Sequence, residues 1–229
     1  MKPYFLIPLF FQKLVWVPVR LTFYLFIRMK VEGLENLHGL DRRVIFAANH
    51  PCELDPAFIP AAIPFWSRFS PIFGASREKS YYAKLGWRRH FYGRWFFVMW
   101  GGSPVYAGLH NYEQSVRNHI RLIQDRATLV IFPEGGISRD GLIHPAKGGI
   151  AFLAERVNCP IIPIGISGAV GLNFKDFFLR RRKVVVRFGS VITQQEIKDN
   201  VPRPANFSPS IYRVEADYVM RKVGELIGG

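Results

Sequence analysis

Three apolar runs punctuate the chain, each closed by a polar turn: Val44-Ile45-Phe46-Ala47-Ala48, Ala127-Thr128-Leu129-Val130-Ile131-Phe132 and Pro160-Ile161-Ile162-Pro163-Ile164-Gly165-Ile166. Continuous runs of this length, rich in β-formers, mark strands buried on both faces. Val31–Leu37 reads as a short strand followed by turns, and Lys183–Phe188 as a late strand. Between them, helical stretches are predicted near His110–Gln124 and Gly148–Val157, with a closing amphipathic helix over Pro209–Leu226. Pro56, with its φ already set for a first helical turn, opens another helix through Ile63. Strands alternating with helices predict an α/β fold: a mixed central sheet covered by helices, with functional loops at the carboxyl ends of the strands.

The first thirty residues follow a different pattern. From Met1 to Ile27 nearly every position is apolar, yet Lys2, Lys13 and Arg20 interrupt the run. Its longest uncharged piece, Pro3–Gln12, is about half a bilayer span, which disfavours a simple transmembrane helix. On a helix Lys13, Arg20 and Arg28 fall within one arc, and Phe10, Phe11, Leu14, Trp16, Val17, Leu21, Phe23 and Tyr24 cover most of the rest. This predicts a membrane-interface segment over residues 1–30, divided into kinked pieces by Pro8 and Pro18, ahead of one domain over residues 31–229. The alternative is a helix pair packed on the core. An aromatic and basic cluster between Tyr81 and Trp100 offers either a headgroup-level contact or a buried one.

Charge narrows the partners. Thirty-one Lys and Arg against seventeen Asp and Glu give +14, a field that attracts anionic lipid, nucleic acid or an acidic protein. No RNA-recognition, KH or zinc-finger signature accompanies it, so no nucleic-acid partner is expected. Cys52 and Cys159 are too few for a disulfide framework. His38, His90, His110, His119 and His144 show no metal-ligand spacing, so neither metal nor other cofactor is expected and these histidines read as surface or packing residues.

The candidate chemistry follows the first apolar run, in Asn49-His50-Pro51-Cys52-Glu53-Leu54-Asp55-Pro56. On a regular helix His50 and Asp55 would point about 140° apart, so they meet only if the proline-flanked segment turns irregularly. A carboxylate that orients an imidazole leaves the other ring nitrogen to take a proton from a hydroxyl. After the second run, Pro133-Glu134-Gly135-Gly136 has the glycines that let backbone N–H groups approach a substrate oxygen, or is simply a turn. Cys52 lies beside His50 in sequence, but thiol nucleophiles meet their histidines across a fold, so it is set aside.

Taken in order, these segments resemble the glycerolipid acyltransferase family, which includes lysophosphatidic acid acyltransferases. Asn49–Pro56 looks like its first block, Phe132–Gly141 with Pro145, Lys147 and Gly149 like its third, and Ile162–Gly168 like its fourth. The likeness runs from Val44 to Gly168. It implies acyl transfer from acyl-CoA or acyl-carrier protein to a lysolipid hydroxyl in phospholipid biosynthesis, without a covalent acyl-enzyme. His50 would be the base and Asp55 its partner. Glu134, Gly135 and Gly136 would face the acceptor, and Pro163 would shape the site. The family's amino-terminal membrane element implies a peripheral or monotopic location on the cytoplasmic face.

Two departures from the family pattern bear on the acceptor. The third block usually reads Glu-Gly-Thr-Arg, where this chain has Gly136 and Ile137 in the last two places, and Ala107 stands where the second block usually ends in arginine. Arginine pairs bidentately with phosphate, which neither Ile nor Ala does. Arg139 and Lys147 are the nearby replacements. A non-catalytic lipid-binding protein on the same fold is the competing reading.

Overall fold

The computed structural model describes residues 2–76, 98–106, 109, 111–203 and 208–228. Among these, seven strands form one sheet: β1 (Lys30–Glu32), β2 (Ile45–Ala48), β3 (Ile72–Ser76), β4 (Gly102–Pro104), β5 (Thr128–Ile131), β6 (Ile161–Ser167) and β7 (Val185–Phe188). Their spatial order is β1-β7-β6-β2-β5-β3-β4. All neighbours are parallel except β6 and β7, so the sheet is mixed.

The central strand shows why an unbroken apolar run was required. Ile45 and Ala47 join one core, while Val44, Phe46 and Ala48 join the core on the opposite face, as the two-residue alternation of a strand dictates. The first core is covered by α4 (Arg117–Gln124), α5 (Gly149–Arg156) and α8 (Ile211–Ile227). The second is covered by α1 (Leu6–Ile27) and α2 (Asp55–Ala62). Each fully buried Ile or Phe contributes about 1.5–3 kcal/mol. Three further helices among the described residues are short: α3 (Tyr112–Ser115), α6 (Phe174–Phe178) and α7 (Gln194–Asn200).

Two local differences from the sequence expectations have identifiable causes. The helix expected near 110–124 divides into α3 and α4, because the Ser115 carbonyl turns to accept from Tyr106 N–H at 3.1 Å. Strands β3 and β4 were not expected; β3 borrows its order from β5 on one side, and β4 from β3. At the end of β6, Gly168 has φ +77, and a Cβ there would lie 2.0 Å from the Lys183 carbonyl, so the chain can cross to the β7 side only through glycine.

The amino-terminal segment is one helix of 22 residues rather than kinked pieces. Pro8 falls in the first turn, where its missing N–H removes no hydrogen bond, and the helix continues through Pro18. Its polar side chains face the domain. Gln12 donates to the Ile72 and Trp100 carbonyls and accepts from Ile72 N–H. Arg20 donates to the carbonyls of Ala61 and Ala62, and Lys13 lies 4.5 Å above the Phe65 ring. Of the residues expected to cover the apolar face, Phe11, Trp16 and Phe23 instead turn inward, to Trp100, the Ile63 carbonyl and Phe58. What faces out is Leu6, Phe10, Leu14, Val17 and Leu21, each at least half exposed, at helical spacing. Pro3–Ile27 is long and apolar enough, by length and composition, to cross a membrane.

Candidate active site

Asn49 continues β2 beyond its last strand residue. Its side chain accepts from Ile166 N–H at 2.8 Å and donates to the Ile166 carbonyl at 2.9 Å, pinning the chain to the end of β6. Pro51 keeps His50 extended, and the following turn brings Asp55 to the first position of α2. The irregular turn that the pair required is therefore present. His50 Nδ1 lies 2.9 Å from Asp55 Oδ2.

Asp55 is fully buried, and both carboxylate oxygens are occupied. Besides His50, it accepts from Cys52 N–H at 2.9 Å and from the Cys52 thiol at 3.1 Å. A buried carboxylate is tolerable with such a donor set at the positive end of a helix. With Nδ1–H committed to Asp55, the imidazole presents Nε2 as its basic nitrogen. Phe132, at the end of β5, stacks on the ring at 4.3 Å and 22°, and 18% of the His50 side chain remains exposed.

The second motif closes over the first. Glu134 takes His50 N–H on one oxygen at 3.3 Å and His144 N–H on the other at 3.2 Å. Ser138 N–H donates to the His50 carbonyl at 2.9 Å. Gly135 has φ +73, and a Cβ on it would sit 2.6 Å from Lys147 Nζ, so the glycine makes room for the lysine chain to lie across the turn. Lys147 N–H also donates to the Pro133 carbonyl at 2.9 Å, closing the loop. Beyond it, Asp140 accepts from Leu142 N–H, the Ser138 hydroxyl and His144, which together hold its carboxyl down at about 2. The Gly135 N–H is spent on the Phe132 carbonyl, which leaves Glu134 and Gly136 as the turn's candidate oxyanion donors.

A family model described as Acyltransferase matches residues 28–167, more than half of the chain and every segment just described. The chain belongs to the Acyltransferase family. A 1-acyl-sn-glycerol-3-phosphate acyltransferase of Limnanthes douglasii is 29% identical over 143 residues, 62% of this chain and 46% of the relative. A chloroplastic 1-acyl-sn-glycerol-3-phosphate acyltransferase of Brassica napus is 24% identical over 155 residues, 67% of this chain and 41% of the relative. This family member thus spans less than half the length of those curated relatives. The fold is shared with the crystal structure of the 1-acyl-sn-glycerophosphate (LPA) acyltransferase PlsC from Thermotoga maritima, at TM-score 0.62 and 21% identity, covering 94% of this chain and 80% of that one.

In this acyltransferase-family chain, His50, Asp55, Glu134, Gly135, Gly136 and Lys147 come together around one turn. Arg139 is exposed on the same loop and, like Lys147, has no carboxylate partner among the described residues. Pro163 is the exception. It is buried within β6, opposite Ala47, and its carbonyl accepts from Gly189 N–H, so it holds strands together below the site; Ile166 is the β6 residue that reaches the motif. Sequence reasoning missed Asn49, Phe132 and His144 as parts of the arrangement. Asn49 and Phe132 open the quoted motifs, but nothing local showed which strand or ring each would meet. Ala107, most of the Tyr81–Trp100 cluster, His90 and His110 lie outside the described residues. Among the described residues no group of three His, Cys, Asp or Glu side chains could hold a metal ion.

Cys52 has a structural task here. Its thiol is buried and its pKa is raised, chiefly by that burial and then by the Asp55 charge, the reverse of what a nucleophile needs. Cys52→Ser keeps both donors to Asp55, so its kcat is expected to stay within about threefold of the parent, since only about 0.5–1.5 kcal/mol rides on such a bond. A loss beyond a hundredfold in a folded variant would show that the thiol itself reacts.

Proposed function

We propose that the protein is an O-acyltransferase that moves a fatty acyl group from acyl-CoA or acyl-carrier protein to the hydroxyl of a lysophospholipid-type acceptor. The observation that carries this reading is the His50–Asp55 pair, with Nε2 left for chemistry beside the Glu134–Gly136 turn. His50 Nε2 accepts the acceptor's hydroxyl proton as the oxygen attacks the thioester carbonyl. Asp55 holds the ring in place and stabilises the imidazolium that forms. The tetrahedral oxyanion is received by N–H groups of the turn. On collapse the carbon–sulfur bond breaks, the thiolate leaves and His50 returns the proton to it, so no acyl group is ever bound to the protein. No cofactor enters this sequence.

For the acceptor headgroup, Lys147 and Arg139 take the role of the arginines that Ile137 and Ala107 do not supply. Lys147 supports this best, because its ammonium crosses the turn against Gly135 with no counter-ion among the described residues. A phosphate-bearing acceptor, 1-acylglycerol-3-phosphate first, fits that charge and the relatives' printed activities. The enzyme would work from the cytoplasmic face of a membrane, with α1 lying in the interface. Its acidic Asp and Glu are outnumbered by cations, which favours both an anionic leaflet and an acidic carrier protein.

Mass spectrometry of products from a labelled acyl thioester and a panel of lysolipids tests the reading. Transfer to a phosphate-bearing lysolipid is expected. Lys147→Ala should raise KM for that acceptor by about 10-fold or more, because a charged hydrogen bond is worth about 1.5–3 kcal/mol. No acylated product from any hydroxyl lipid would overturn the proposal.

A further inference from the structure

A second apolar and basic surface adjoins the outer face of α1. Phe174, Phe178 and Leu179 are 84%, 62% and 53% exposed, on and just beyond α6. The helix is tied to α1 through Phe26, which stacks on Phe177 at 5.2 Å and meets Phe178 edge-on at 5.6 Å. Immediately after it comes Arg180-Arg181-Arg182-Lys183. Arg182 pairs with Asp176 at 3.1 Å, whereas Arg180, Arg181 and Lys183 are exposed and have no carboxylate partner among the described residues.

The position of this patch is set by the sheet. Val185, just beyond the basic run, pairs with Ser167 at the end of β6, one residue past the Ile166 that clamps Asn49. The patch therefore lies at the same end of the sheet as His50. Exposed rings are unfavourable in water, and uncompensated cations beside them repel one another. An anionic lipid surface relieves both, with the rings at headgroup level and the guanidinium groups on lipid phosphates.

We propose that the segment Phe174–Lys183 is a second membrane contact, selective for anionic lipid, that turns the His50 end of the sheet toward the bilayer. It extends the interfacial reading of α1 and requires no turnover to be tested. The full chain is titrated with vesicles of phosphatidylcholine alone and of phosphatidylcholine mixed with phosphatidylglycerol. The variant Arg180→Gln/Arg181→Gln/Lys183→Gln is expected to lose roughly 100-fold in partitioning onto the mixed vesicles, at about fivefold per basic residue, and nothing on the neutral ones. Phe174→Ser/Phe178→Ser should weaken binding to both.

Urea midpoints equal to the parent's establish that the variants are folded. Unchanged binding of the charge variant to mixed vesicles would overturn the proposal, as would an equal loss on both vesicle types. So would retained vesicle binding with lost binding to an acidic carrier protein, which would make the patch a donor-docking surface. Leu6→Ser/Phe10→Ser/Leu14→Ser examines α1 separately: wild-type partitioning by that variant rejects the interfacial helix and leaves the α6 contact standing.

Discussion

His50→Ala is expected to lower acyl-transfer kcat/KM by about 10²- to 10⁴-fold, the usual contribution of a positioned general base. The fold should survive, because Asp55 keeps the Cys52 N–H and thiol as donors after the imidazole is gone. Asp55→Asn should fall at the severe end of the same range. Oδ2 accepts from both His50 and Cys52 N–H, so an amide nitrogen in its place would donate to His50 Nδ1 and lose the Cys52 N–H bond, while the amide oxygen keeps the Cys52 thiol. The proton then moves to Nε2, and the nitrogen that must accept from the substrate hydroxyl becomes a donor. Initial rates with a labelled thioester, alongside circular dichroism of each variant, check both results. Undiminished transfer in folded His50→Ala would remove His50 from the chemistry and the proposed mechanism with it.

A second large effect concerns stability rather than turnover. His119 on α4 is 1% exposed, and neither ring nitrogen has a partner among the described residues. Burial in apolar surroundings pulls its pKa down from 6.5 to about 4. The unfolded chain therefore binds a proton that the native state refuses between pH 6.5 and 4. Within that window stability rises with pH; it is lost as pH falls, by about 3 kcal/mol in all. His119→Phe removes the titration, so the drop in unfolding free energy from pH 7 to pH 4.5 should shrink by about 2 kcal/mol. At neutral pH the variant should be as stable as the parent or more so, since a buried group without partners is replaced. Urea melts at both pH values measure this. Contributions from carboxylates such as Asp140 are common to both proteins and cancel in the comparison. An identical drop in the two would show that His119 is protonated, or hydrated, inside the fold.

Much of the architecture was readable from local pattern. Val44–Ala48 and Ala127–Phe132 contain β2 and β5, and Pro160–Ile166 covers all of β6 but Ser167, because a strand covered on both faces has few polar positions to spare. The α/β class followed from their alternation with the helical stretches expected near His110–Gln124 and Gly148–Val157. Strand β3 and the edge strand β4 were not readable. Both are short and contain glycine, β4 also proline, and they gain order from neighbours that no local window contains. The amino-terminal helix was foreseen as amphipathic, with Lys13 and Arg20 in one arc and no partner in the domain. Only the carbonyls of Ala61 and Ala62 and the Phe65 ring, all remote in sequence, explain why Arg20 and Lys13 face inward.

The site divides the same way. Sequence alone determined which residue types were available: an imidazole and a carboxylate separated by a proline-flanked turn, a glycine corner after a later strand, and a lysine beyond it. Their chemistry is intrinsic to the side chains, so it could be named without coordinates. Only tertiary structure decided that they meet. Parallel pairing of β2 with β5 sets the two turns side by side, Asn49 locks one of them to β6, and Glu134 bridges them through backbone N–H groups. The pairing of β2 with β6 buried Pro163 below the turn it was expected to shape. Such contacts depend on register and direction between strands, quantities that belong to no single stretch of chain.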